Sequence, residues 1–91
     1  MNRSEIGRVV CDCLGQVAMA PAGMTQELCE QQSTKQMGLS DEDIERLFEC
    51  ILEQLHAHDC TALLGKTMWK SAEKVAEFCD GVDANHSCGQ T

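Results

Sequence analysis

From Ser40 to Leu55 the chain spells a helix with one apolar side and one acidic side. Ile44, Leu47, Phe48, Ile51, Leu52 and Leu55 recur at the helical period, and Glu45, Glu49 and Glu53 fall opposite them. Ser40 with Asp43 three residues on is a capping-box-like pair. Asp41, Glu42 and Asp43 place negative charge where the first-turn N–H groups favour it. The pattern predicts a helix over about 41–56 with Ser40 as its cap. A helix of this kind must bury its apolar stripe, so the chain needs other elements to pack against it.

Two further stretches supply them. Ile6, Val9, Val10, Cys13, Leu14 and Val17 form a second stripe, predicting a helix over 4–17 that Ser4 can cap and that ends at Ala20-Pro21-Ala22-Gly23. Met68, Trp69, Ala72, Val75, Ala76 and Cys79 define the inward face of a last helix over 67–79, stopped by Gly81. Between the first two helices lies a long connection, 18–38. Met24, Leu28 and Met37 are its expected core anchors, and Thr25 can cap a short helical turn. Residues 59–65 suggest one or two short turns closed by Gly65. The tail from Val82 is polar and aperiodic, and is expected to be disordered. The predicted fold is all-α: a small four-helix bundle over 1–81 with a long first loop and a flexible tail over 82–91. The core is expected to bring Val10, Leu14, Leu47, Ile51, Leu55, Val75 and Ala76 together.

Composition narrows what such a bundle does. A net charge of −8 opposes nucleic acid and anionic membrane surfaces and favours a partner with a basic patch. No apolar run reads as a leader or a membrane span, so the chain is expected to be cytoplasmic; it is separately expected to be a monomer. The seven cysteines (Cys11, Cys13, Cys29, Cys50, Cys60, Cys79, Cys88) leave at least one unpaired. Cys13 and Cys50 sit on apolar stripes and read as small core residues. A cytoplasmic chain is expected to keep its thiols reduced.

The residues around the acidic helix resemble those of an acyl carrier protein. That family opens its second helix with Gly-x-Asp-Ser-Leu, where the serine carries a phosphopantetheine arm. The matching run here is Gly38-Leu39-Ser40-Asp41-Glu42, and Lys66-Thr67-Met68-Trp69-Lys70-Ser71-Ala72 resembles the opening of the family's fourth helix. Element order, spacing and acidity extend the resemblance over roughly residues 4–80. In register, Asp41 takes the place of the serine, Ser40 that of the aspartate, and Glu42 that of a leucine used in docking. An aspartate cannot accept the arm. The resemblance therefore implies a non-catalytic module that docks onto acyl- or peptidyl-processing enzymes through Asp41, Glu42, Glu45, Glu49 and Glu53, without covalent loading. An active carrier with 4′-phosphopantetheine on Ser40 is the alternative, and an unrelated helical adaptor or inhibitor a third.

Other chemistry is thinly represented. His56-x-His58-x-Cys60, with His86-x-Cys88, contains zinc-binding residue types at spacings unlike a zinc finger or ribbon, so no metal is expected. No nucleophile–histidine–acid arrangement can be read, and no catalytic residue is expected.

Overall fold

In the computed structural model, which describes residues 1–18 and 24–89, six helices and two short strands appear. In chain order these are α1 (Arg3–Val17), α2 (Gln26–Glu30), α3 (Thr34–Met37), α4 (Asp41–Ala57), β1 (Cys60–Ala62), α5 (Lys66–Ser71), α6 (Val75–Asn85) and β2 (His86–Cys88). The protein is mostly helical, as the periodicity requires, but it is neither strictly all-α nor a plain four-helix arrangement.

The core is built by α1, α4 and α6. Ile6, Val9, Val10, Cys13 and Leu14 from α1 meet Ile44, Leu47, Ile51 and Leu55 from α4, and Val75, Phe78, Cys79 and Val82 from α6. Six of the seven expected core residues are fully buried; Ala76 is only half-buried. The helix starts follow their caps. Ser40 Oγ accepts the Asp43 N–H at 3.1 Å and the Asp43 carboxylate accepts the Ser40 N–H at 3.4 Å. For α1 the cap is Asn2 rather than Ser4: its Oδ1 accepts the Glu5 N–H at 2.8 Å, and Glu5 accepts the Asn2 N–H in return. Two residues further back, the same reciprocal pair satisfies the orphan donors.

Within the long first connection, Thr25 caps α2 as expected and Ser33 caps α3. The expected anchor Leu28 is 55% exposed; Cys29 is buried in its place. The segment is held from outside. The Thr34 N–H donates to the Glu73 carbonyl at 3.1 Å, the Val75 N–H to Gln32 at 3.0 Å, and Thr34 Oγ1 to Ala72 at 2.5 Å. These bonds draw Ala72–Lys74 into extended backbone and split the expected helix over 67–79 into α5 and α6. Arg3 adds an ionic tie, bonding Glu30 of α2 and, at 2.6 Å, Asp80 of α6. Burial opposes ionisation of Glu30, yet hydrogen bonds from Arg3 and Gln26 outweigh it and hold the carboxyl below its usual range.

The largest departures concern the C-terminal segment and the cysteines. Residues 82–89, expected to be a flexible tail, complete α6 and form β2, which pairs antiparallel with β1 in the register Cys60↔Cys88, Thr61↔Ser87, Ala62↔His86. Residues 59–65, expected as turns, contain the partner strand. The thiols are not reduced: Cys11–Cys29, Cys13–Cys50 and Cys60–Cys88 are disulfides with Cα separations of 6.2, 5.7 and 3.8 Å. Of the core helices, α1 and α4 turn their apolar stripes to one another, so Cys13 and Cys50 on those stripes meet. Cys79 is the free one, fully buried, and burial pushes its thiol up to about 12.

Candidate functional site

The turn before α4 is set by Gly38, which ends α3 at φ +62°, a left-handed conformation costly for any residue with a Cβ. Leu39 follows, half-buried, and Ser40 begins the helix. Beside this turn a cavity of about 160 Å³ is walled by Leu39, Ile44 and Trp69, with Lys35 and Lys70 among its lining residues.

The expected docking residues divide into two groups. Asp41 and Glu45, on the first two turns of α4, face α5. Lys70 Nζ lies 3.0 Å from Asp41, and Lys66 Nζ lies 3.2 Å from Glu45 and 4.0 Å from Asp41. The Lys70 hydrogen bond and charge, helped by Lys66, hold the Asp41 carboxyl below its usual range. That contribution is therefore present at neutral pH and is lost as pH falls through the carboxylate range. Glu42 pairs along the helix with Arg46 at 3.2 Å. Glu49 and Glu53 are exposed, and no ion pair among the described residues involves them. Twelve residues separate Asp41 from Glu53, about 18 Å of helix. The five carboxylates thus form a stripe whose first half is already neutralised by the chain.

Ser40 stands exposed at the head of this stripe with its hydroxyl occupied in the cap. Ser40→Ala is expected to lose about 1 kcal/mol of stability, and Ser40→Asp, which restores an acceptor, to retain most of it. Equal unfolding midpoints for wild type and Ser40→Ala would show that the hydroxyl does not cap α4.

The Lys66/Lys70 clamp escapes a reading of α4 alone. Its signal was the i, i+4 spacing of the two lysines on one face of the helix that α4 packs beside. The candidate metal ligands are dispersed by covalent chemistry: Cys60 and Cys88 are bonded to one another. The His86 ring lies against the Asp83 and Met1 carbonyls, at 2.5 and 3.0 Å. Among the described residues no cluster of three or more His, Cys, Asp or Glu side chains could hold a metal, and no helix is long and apolar enough to cross a membrane. The chain matches no protein-family model, no curated protein and no solved structure.

Proposed function

We propose that this chain is a non-catalytic docking module that presents the acidic face of α4 on a cross-linked helical platform to a partner bearing a basic patch. The observation that carries this reading is the contrast along α4. Its apolar stripe is turned to the core and Cys50 ties it to α1, while Glu49 and Glu53 stand exposed and make no ion pair among the described residues. Fixed charge of one sign on a rigid element raises association rates and selects partners more than it adds affinity. Glu49 and Glu53 form the centre of this surface, Glu42 and Glu45 its margin, and Asp41 is held by the chain's own lysines.

The acyl-carrier resemblance gives the narrower form of the proposal: a module of carrier descent, docking onto an acyl- or peptidyl-processing enzyme without carrying cargo. Asp41 at the attachment position and the Ser40 hydroxyl engaged in the cap favour the unloaded form. The three disulfides favour an oxidising compartment over the cytoplasm. The partner is to be sought in such a compartment.

Incubation with a broad-specificity phosphopantetheinyl transferase and coenzyme A, followed by intact-mass measurement, tests the absence of loading. The wild-type chain is expected to remain unmodified, because the transferase meets no hydroxyl at residue 41 and a charge at residue 42. Desolvating that carboxylate, whose Arg46 partner is itself exposed, costs several kcal/mol, enough to slow transfer by orders of magnitude. Asp41→Ser with Glu42→Leu is expected to gain the arm if the descent holds. An arm on the wild-type chain, abolished by Ser40→Ala, would make it a working carrier instead.

A further inference from the structure

The three disulfides differ in what keeps their sulfurs together. Cys13–Cys50 joins two long helices whose stripes are packed in the core, and the Gln54 amide lies over it, its Nε2 at 3.3 Å from Cys13 Sγ and 3.7 Å from Cys50 Sγ. Cys11–Cys29 joins α1 to α2, and α2 is held independently by the Arg3–Glu30 ion pair and by a 2.9 Å bond from Gln26 Nε2 to the Ser4 carbonyl. With either bond cut, the surrounding packing keeps the two thiols adjacent. Their effective concentration stays high and the bond re-forms readily.

Cys60–Cys88 lacks that support. Cys88 belongs to a three-residue strand whose only sheet partner among the described residues is the equally short β1. Beyond the ladder, that strand is retained by the Gly89 N–H donating to the Asp59 carbonyl at 2.6 Å, by the His86 ring, and by the Met1 ammonium, 3.5 Å from Cys88 Sγ; none of these comes from a packed helix face. A two-stranded ladder of this size is marginal without a cross-link. Both cysteines line a groove of about 420 Å³, together with His56, Asp59, Thr61 and Ser87. Cys60 Sγ also lies 3.3 Å from the His58 carbonyl, an acceptor ready for the thiol that reduction creates. On the other side of the segment, α6 is anchored by Val75, Phe78, Cys79 and Val82, so a loss of β2 ends at the helix.

We infer that Cys60–Cys88 is a thiol–disulfide exchange site for a dithiol reductant, and that its opening releases β2 while the helices stay folded. One thiolate of the dithiol attacks Cys88 Sγ from the groove. The S–S bond breaks, the electron pair leaves on Cys60, and that thiolate takes a proton from water. The second thiol of the reductant loses its proton, attacks its own mixed-disulfide sulfur and releases Cys88 as a thiolate, which is protonated in turn. Two electrons and two protons pass to the protein pair, and the dithiol is oxidised to a disulfide. The released segment uncovers the edge of β1.

Graded dithiothreitol, with the free thiols trapped by alkylation and located by peptide mass spectrometry, tests this on the native chain. Cys60 and Cys88 are expected to be labelled first, at about tenfold less reductant than the other pairs. At that concentration, amide exchange should rise at residues 86–89 with an unchanged helical dichroism signal. Opening of Cys11–Cys29 or Cys13–Cys50 at the same or lower concentration would overturn the inference. So would loss of helical signal on opening Cys60–Cys88. The variant Cys60→Ser with Cys88→Ser provides the opened state without reductant: it is expected to stay helical, and failure to fold would equally overturn the inference.

Discussion

Replacing Cys13 and Cys50 together by alanine is expected to lower the unfolding free energy by about 4 kcal/mol, the value that loop-closure entropy assigns to a bridge spanning a sequence separation of 37. Domains of this size have total stabilities of roughly 5–10 kcal/mol, so the variant should be close to unfolding at ambient temperature. The effect has two sources. The unfolded chain regains the freedom that a cross-link between α1 and α4 removes, and the core loses two sulfurs at the helix contact that organises it. Denaturant titration under non-reducing conditions measures it. A midpoint equal to that of the wild type would mean that packing alone holds α1 on α4.

Truncation of Phe78 to alanine is expected to cost about 3–5 kcal/mol. The ring is buried at the join of three helices. It meets Trp69 of α5 edge-on with centroids 5.1 Å apart, and lies parallel to Phe48 of α4 at 5.8 Å. Its removal leaves a cavity between α4, α5 and α6, and α4 is pinned to α1 by the Cys13–Cys50 bridge, which limits how far the site can collapse. Trp69 is the chain's one tryptophan, so its fluorescence reports the same substitution directly. A loss below about 1 kcal/mol with an unchanged emission maximum would remove Phe78 from the centre of the core.

The importance of Phe78 is not visible along the sequence, and the reason is instructive. The stripe of α4 is legible because one uninterrupted helix buries it, and the Ser40 cap is legible because it is made within three residues. Extending the period from Met68 through Cys79 passes over Phe78, since nothing at Ser71-Ala72-Glu73-Lys74 announces a break. The break comes from Gln32 and Thr34, forty residues away, whose backbone bonds pull the segment extended and reset the phase. In the new phase Val75, Phe78, Cys79 and Val82 face inward, and Val82 ceases to be part of a tail. The strands were hidden for a similar reason. Three residues carry too little pattern to show alternation, and β1 exists only because β2 returns to it from 24 residues beyond its end. At the candidate site, the acidic stripe itself was legible. Its partial neutralisation was not, because Lys66 and Lys70 belong to a different helix.

The disulfides show how a correct local reading can carry a wrong chemical conclusion. Cys13 and Cys50 lie on the core-facing sides of α1 and α4, as their spacing predicts. Two cysteines on facing stripes of packed helices come within bonding reach, here 5.7 Å between Cα atoms, so the placement that suggested inert core thiols is also the one that joins them.

The docking face is tested most directly by charge reversal within α4. The double variant Glu49→Lys with Glu53→Lys and the single variant Asp41→Asn are compared with the wild type for binding of a lysine-rich helical peptide across a salt series, alongside melting temperatures. The double variant is expected to lose binding and its salt dependence at an unchanged melting temperature. Asp41→Asn, whose charge is already met by Lys70, should bind like the wild type. Retained binding by the double variant, or loss of binding by Asp41→Asn alone, would refute a docking face centred on Glu49 and Glu53 and move the interface to the start of the helix.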